Sequence, residues 1–324
     1  MTLINVKIEE HITETGFADY VLKNSQGHPL AVLEAKRKGK DPRSAETQAK
    51  NYAIELKVPY LFLSNGDETY FWEYEKFSYP KKIKSFFGQN ELINKTASLK
   101  VRKDILSVPI DTNISERKYA HDCINILSES IQKNKSDKFL VEMATGTGKT
   151  RLSAALIKRL LQSNYINKVL FVCDRNTLVT QTEGAFIDYL PEYSNYVLRQ
   201  GKYKHENQIT ITTLQTLINC YRDLNSGYFD LIIIDECHRS IYGKHRNTLD
   251  FFSSIKIGLT ATPCVMPENI EDDYDSKFIR DTLKFFELEK EGPTFVYTLQ
   301  QGIKDGYLVP YYTYEAKTIK MSED

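Results

Sequence analysis

The sequence predicts an α/β protein of two units, the second of them a doubly wound parallel sheet. Five runs carry that expectation: FLVEM (139–143), VLFVC (169–173), ITITT (209–213), LIIID (231–235) and IKIGLT (255–260). They are apolar on consecutive rather than alternate residues, as strands buried on both faces require. Helical patterns separate them, and helices are what connect parallel strands. The length agrees, since 324 residues suffice for roughly two domains.

Along the chain, residues 1–80 alternate short strand patterns with one helix and form the first unit. Residues 81–112 turn polar and Lys-rich with little periodicity, and read as a basic connector. Residues 113–265 hold the parallel-sheet unit. Of residues 266–324, the stretch from Pro267 to Glu291 is acidic and expected to be mobile. FVYTLQQGIKDGYLVPYYTYEAK then reads as a helix, a turn at Asp305-Gly306 and a strand.

Composition excludes several classes. With 43 basic and 43 acidic residues, 16 Phe and 21 Tyr, the chain is neither disordered nor fibrous. No apolar stretch approaches the ~18 residues of a membrane span, and the start lacks a signal-peptide pattern. A cytoplasmic protein with no membrane partner is expected. Cys123, Cys173, Cys220, Cys237 and Cys264 are scattered, so neither a zinc ribbon nor a disulfide framework is indicated. Zero net charge rules out coating nucleic acid by bulk attraction and confines any DNA contact to local patches. Two basic stretches, 36–43 and 81–103, could supply one.

Within the first unit, HPLAVLEAKRKGK (28–40) places Glu34 and Lys36 at the tip of an apolar strand. Residues two apart in a strand share a face, so both project together. The preceding segment GFADYVLK carries Asp19, and the turn-rich NSQGHP lies between. A hairpin folded about Gln26 and Gly27 sets Asp19 directly opposite Glu34. Opposed carboxylates repel unless something positive lies between them. A Mg²⁺ ion answers that problem, with Asp19 and Glu34 as ligands and Lys36 stabilising the attacking hydroxide or the scissile phosphate. Asp41-Pro42 then starts a helix that carries Gln48 and Tyr52 on one face.

In the second unit, MATGTGKT (143–150) joins a buried strand to a helix with Leu152, Leu156 and Leu160 on one face. Thr145, Gly146, Thr147 and Gly148 form a loop whose N–H groups can point at phosphate oxygens, at the positive end of the next helix. Lys149 would reach the β- and γ-phosphates of ATP, and Thr150 would ligate Mg²⁺. LIIIDECH (231–238) ends an apolar strand in two acids. Asp235 can hold the Mg²⁺ shell, and Glu236 can orient and deprotonate the attacking water.

Together ATGTGKT, DECH (235–238) and LTATP (259–263) resemble superfamily 2 helicases and translocases. The resemblance implies a RecA-like first motor lobe in which Thr260 and Thr262 couple hydrolysis to movement through His238. It also puts Asp174 and Arg175 near the DNA-facing side and TTLQTL, with Thr213, on the phosphate backbone. Relatives read adenine with the Gln of an Arg-x-Tyr-Gln motif. Here the motif is Arg117-Lys118-Tyr119-Ala120, which keeps the arginine on the cofactor side and lacks the amide.

Asp-(x)14-Glu-x-Lys followed by Gln-x-x-x-Tyr is similar to the PD-(D/E)xK nucleases, so the first unit is expected to be a restriction-endonuclease-like domain. The usual preceding helix with its acidic residue is missing, and Glu10 is the nearest substitute. A nuclease of this kind ahead of a superfamily 2 motor resembles the restriction subunit of type I restriction-modification enzymes. FADYVL, PLAVLEAKR, QAKNYA, LSNG and DGYLVPY strengthen the likeness. It implies ATP and Mg²⁺ as cofactors, and double-stranded DNA plus methyltransferase and specificity subunits as partners. About 60 residues follow LTATP, whereas a second lobe needs on the order of 100 to 150, so the expected product is a fragment unable to translocate. A stand-alone or type III-like helicase-nuclease, or an inert DNA-binding fragment, are the alternatives.

Overall fold

The computed structural model describes residues 5–12, 16–199, 203–239, 241, 243–264 and 281–310. The first sheet has six strands in chain order: β1 (Asn5–Ile12), β2 (Gly16–Lys23), β3 (Pro29–Ala35), β4 (Tyr60–Ser64), β5 (Thr69–Glu73) and β6 (Lys81–Ile83). Every neighbouring pair is antiparallel except β3 with β4. That parallel pair needs a crossover, which α1 (Glu46–Glu55) supplies.

The β2–β3 hairpin turns at Asn24, whose side chain accepts from the N–H groups of Gln26 at 3.0 Å and His28 at 2.9 Å. Gly27 takes the positive φ of 83° that the turn demands. Val21 pairs with Val32 and Tyr20 with Leu33. Val21, Val32, Leu61 and Leu63 pack under Ala49, Tyr52 and Ala53 of α1. On the opposite face Ala31, Tyr60 and Phe62 pack against Phe87 and Leu92.

Leu92 belongs to α2 (Gln89–Val101), so residues 81–112, read from sequence as a basic connector, also hold regular structure. That segment contributes β6 to the first sheet and α2 to its outer face. Its apolar positions are few, with Leu92 fully buried and Ile93 and Leu99 partly so. Such a narrow stripe leaves no clear helical period. The polar side of α2 instead ties the two units together: Lys95 pairs with Asp230 and Ser98 bonds Asn167 at 3.0 Å.

The second sheet is wholly parallel, with β7 (Lys138–Met143), β8 (Val169–Cys173), β9 (Asn195–Val197), β10 (Ile209–Thr213), β11 (Leu231–Ile234), β12 (Ile255–Thr260) and β13 (Phe295–Tyr297). Their spatial order is β13-β7-β12-β11-β8-β10-β9. Helices α3 (Lys118–Gln132), α4 (Lys149–Gln162) and α5 (Asn176–Tyr189) cover one face. The other is covered by α6 (Leu214–Ile218), α7 (Lys244–Phe251) and α8 (Thr282–Phe286). Burial on both faces accounts for the consecutive apolar runs. Among the described residues no helix is long and apolar enough to cross a membrane.

The tail differs from expectation. Where residues 266–324 were expected to form a mobile loop and then the start of another lobe, residues 281–297 complete this sheet. Phe285 and Phe286 of α8 are almost fully buried, and β13 extends the sheet beside β7. Three residues of strand are too short to announce themselves. The expected helix after FVY is α9 (Leu299–Lys304), capped by Thr298 and Gln301. The rest of the acidic stretch and the final strand lie outside the described residues.

Gly258 of β12 makes room for α8, because a Cβ there would stand 2.3 Å from the Phe286 ring. Phe286→Ala is therefore expected to cost about 3–5 kcal/mol in urea unfolding. A change under about 1 kcal/mol would mean that α8 is not core.

Candidate active sites

The first candidate site sits where β2 begins and β3 ends. Continuing the hairpin register brings Asp19 alongside Glu34, and the two interlock. The Asp19 N–H donates to Glu34 Oε1 at 3.2 Å, while Asp19 Oδ2 accepts from the Ala35 N–H at 2.8 Å. Glu34 is only 1% exposed. Burial and the facing Asp19 push its carboxyl up to about 7. Lys36 continues the chain past β3 with its N–H donating to Ser64 of β4 at 2.7 Å, and its side chain is half-buried.

Over the same face, α1 carries Gln48 and Tyr52, and the Gln48 amide donates to the Tyr52 hydroxyl at 3.1 Å. A Cβ on Gly16 would lie 3.5 Å from that hydroxyl, which places Tyr52 beside the start of β2. Asp41 caps the short 3-10 turn ahead of α1, accepting from the Arg43 N–H at 2.9 Å. Glu10 pairs with Ala18 in the β1–β2 ladder, and its side chain is outside the described residues. Among the described residues no group of three or more His, Cys, Asp or Glu could hold a metal. The donor set is two carboxylates, which suits Mg²⁺ completed by water and phosphate oxygens.

The second candidate site lies at the carboxyl edge of the parallel sheet. The loop between β7 and α4 takes left-handed backbone at Gly146 (φ 82°) and Gly148 (φ 87°). Thr147 is buried, and its hydroxyl donates to the Ala144 carbonyl at 2.6 Å. Thr145 is exposed and Thr150 half-buried on the first turn of α4. Lys149 forms an ion pair of 2.7 Å with Glu236.

Asp235, at the end of β11, has its N–H bonded to Val172 at 2.9 Å. Its Oδ1 is buried with no partner among the described residues. Burial, and secondarily the neighbouring carboxylates of Glu236 and Asp174, raise its pKa to about 6 despite Lys149. An orphaned, crowded carboxylate beside the glycine loop fits a divalent cation.

A hydrogen-bond network extends from this edge. Arg239 Nε donates to His238 Nε2 at 3.3 Å, so Nδ1 carries the proton and donates to Thr260 Oγ1 at 2.9 Å. Thr260 also accepts from the Thr262 N–H at 3.1 Å. Burial lowers the His238 pKa and favours the neutral ring. Asp174 Oδ2 holds Arg175 at 3.1 Å and Arg239 at 3.3 Å. Arg239 thus bridges Asp174 and His238, and its position directly after DECH was the signal for it. Thr213 caps α6, its Oγ1 accepting from the Thr216 N–H at 3.3 Å.

Arg117 reaches the loop from the far side, donating to the Thr147 carbonyl at 3.1 Å and the Tyr119 hydroxyl at 2.7 Å. Tyr119 also donates to that carbonyl. Ala120 is buried and presents no hydrogen-bonding group. Sequence reading missed the aromatic cluster formed here. Tyr119 stacks on Tyr297 at 3.9 Å, and Tyr307 meets Tyr119 edge-on while lying under Arg117 at 4.9 Å. No spacing rule links residues so distant in the chain.

Comparison with known proteins adds a family to this geometry. Residues 6–76 match the family model described as type I restriction enzyme R protein N terminus, and residues 113–265 match that of type III restriction enzyme, res subunit. The endonuclease subunit of type I restriction enzyme EcoAI from Escherichia coli is 32% identical, over 91% of this chain and 37% of that protein. The EcoKI endonuclease subunit from Escherichia coli K12 is 24% identical, over 91% of this chain and 30% of that protein. A solved fragment assigned to the HsdR subunit of a Vibrio vulnificus type I enzyme aligns at 26% identity and TM-score 0.45, covering 93% of this chain and 56% of that one. The chain therefore spans about a third of the length of the curated relatives it matches. With its first unit matched to the type I R protein and nearly all of its length aligned to type I endonuclease subunits, the chain belongs to the R-subunit family of type I restriction enzymes.

Proposed function

We propose that this chain carries a PD-(D/E)xK-type DNA-cutting domain and the first, RecA-like lobe of an ATP-driven motor. In this reading it belongs to a type I restriction endonuclease that works with methyltransferase and specificity subunits on double-stranded DNA. The observation that carries the nuclease half is the pairing of half-buried Asp19 with buried Glu34, with Glu34 raised to about 7. A group held so far from its ordinary range at the tip of a strand has a functional rationale that a surface acid lacks. The first unit's match to the type I family favours type I over a type III-like subunit.

Asp19 and Glu34 would hold Mg²⁺, which when bound lowers the pKa of water and offsets charge on the scissile phosphate. Lys36 would stabilise the developing negative charge, and Gln48 with Tyr52 would orient the carboxylates and the DNA strand. In the motor lobe Lys149, Thr150 and Asp235 would hold Mg-ATP, with the loop from Thr145 to Gly148 and Arg117 around the phosphates. Phosphate oxygens would compete for Lys149 and release Glu236 from its ion pair. The freed carboxylate could then orient water. His238, Thr260 and Thr262 would pass that change on, and Asp174, Arg175 and the segment capped by Thr213 would face DNA.

Asp19→Asn and Glu34→Gln should abolish Mg²⁺- or Mn²⁺-dependent nicking of supercoiled plasmid while leaving ATP binding unchanged. Retained nicking in both variants would remove the nuclease assignment. Metal and proton compete for Glu34. Nicking at limiting Mg²⁺ should accordingly rise as pH passes through about 7, and the rise should move to lower pH as Mg²⁺ increases.

The same shift sets stability. A carboxylate whose folded pKa exceeds its unfolded value binds protons better in the native state. Its charge therefore destabilises the fold increasingly from about pH 4.5 to about 7. Without metal, Glu34→Gln should stabilise the fold at pH 8 by up to about 3 kcal/mol and by little near pH 4. Urea unfolding at the two pH values reads this, and equal stability of the variant and parent at pH 8 would contradict it.

Lys149→Ala should weaken binding of a fluorescent ATP analogue by at least about tenfold, the loss expected for one charge-assisted contact. Unchanged affinity would take the nucleotide away from this loop.

A further inference from the structure

The order of the second sheet sets the direction in which a nucleotide would lie. The glycine loop follows β7, and the sheet continues from β7 to either side. On one side, beyond β12, stands β11, followed by Asp235 and Glu236. On the other stands β13, which ends in Tyr297. Lys149 pairs with Glu236 at 2.7 Å, so the reacting end of a triphosphate held by Lys149 points toward β11. The base, at the far end of the same molecule, is left on the β13 side.

Tyr307 lies on that side and is 40% exposed. Contacts with the loop and with β13 fix its place. Gly306 takes a φ of 77° after α9, and the N–H groups of Tyr307 and Leu308 both donate to the Gly302 carbonyl, at 2.9 and 3.0 Å. Leu308 packs on the loop itself, 3.3 Å from where a Gly146 Cβ would stand. Asp305 accepts from the Tyr297 hydroxyl at 2.8 Å, which ties the end of α9 back to β13.

Arg117 spans the gap between this ring and the loop. Its Nη1 donates to the Thr147 carbonyl at 3.1 Å and lies 3.8 Å from where a Gly148 Cβ would stand, while its guanidinium carbon is 4.9 Å from the Tyr307 ring centre. A planar cation over an accessible aromatic ring is a surface on which a base can stack. Stacking uses the face of the base, which every base has, whereas choosing among bases takes hydrogen bonds to the edge. Two neighbouring side chains offer little to an edge: Ala120 is buried and has no polar atom, and the Tyr119 hydroxyl donates to the Thr147 carbonyl.

We propose that Arg117 and Tyr307 form the shelf that receives the nucleobase of a purine nucleoside triphosphate, and that it accepts adenine and guanine alike. The shelf rests on the reading of the glycine loop as a triphosphate site. Tyr307 then adds affinity through the base alone, and Lys149 through the phosphates.

The test is isothermal titration calorimetry of the full chain with Mg²⁺ and three ligands: ATP, GTP, and inorganic tripolyphosphate, which has the phosphates and no base. ATP and GTP should bind within about threefold of each other. Tyr307→Ala should weaken both by about tenfold and leave tripolyphosphate unchanged, and Tyr307→Phe, which keeps the ring, should match the parent. ATP bound more than about tenfold tighter than GTP would mean that a directional contact reads the base. Unchanged ATP affinity in Tyr307→Ala would place the base elsewhere, and equal loss of ATP and tripolyphosphate would make Tyr307 a prop of the loop. Each of these three results overturns the shelf and leaves the triphosphate site standing. Failure of tripolyphosphate to bind the parent chain would instead remove the triphosphate site, and the shelf with it.

Discussion

A strand buried on both faces carries charge within it only where the ion finds a partner, as Lys256 of β12 does at the Phe252 carbonyl, because each ion taken from water into the interior costs several kcal/mol. Charge enters most readily where the strand ends. In a parallel sheet those ends lie along one edge, so the polar residues that end β7, β8, β11 and β12 arrive together. The glycine loop that follows β7, Asp174, Asp235 with Glu236, and Thr260 are neighbours for that reason. β3 obeys the same rule in the first sheet, where Ala31 and Val32 are fully buried and the first charge is Glu34.

The arrangement costs stability where like charges meet. Glu34 faces Asp19, and Asp235 crowds Glu236 and Asp174. The fold meets part of the cost with its own donors. Backbone N–H groups serve Glu34 and Asp19, Lys149 serves Glu236, and two arginines serve Asp174. Among the described residues Asp235 Oδ1 is left unserved. Sites of chemistry are where such residual strain is tolerated, because a ligand can relieve it.

Between the sheets the logic reverses. Asp230 accepts from Lys95 and from the N–H groups of Asn167 and Lys168 at 2.8 and 3.1 Å. One half-buried carboxylate thus fixes α2 of the first unit against the second sheet. Ion pairs of this kind add little net stability, but they define how two apolar bodies meet. Ser226 reinforces the junction, its hydroxyl donating to the Ser85 carbonyl at 2.6 Å.

Much of this was legible in the chain. Consecutive apolar runs announced the parallel strands, and counting outward from a fold about Gln26 and Gly27 set Asp19 opposite Glu34, the register that the Tyr20–Leu33 pair continues. Local glycines and a capping aspartate, Gly146, Gly148 and Asp41, marked where the backbone must turn. The tertiary structure alone decided what depends on contacts between distant residues. It joined β13 and α8 to the second sheet, spent the polar face of α2 on the other unit, and stacked Tyr119 on Tyr297. None of these has a local signature, because a three-residue strand and a helix with one buried leucine take their stability from the surface they land on rather than from their own pattern.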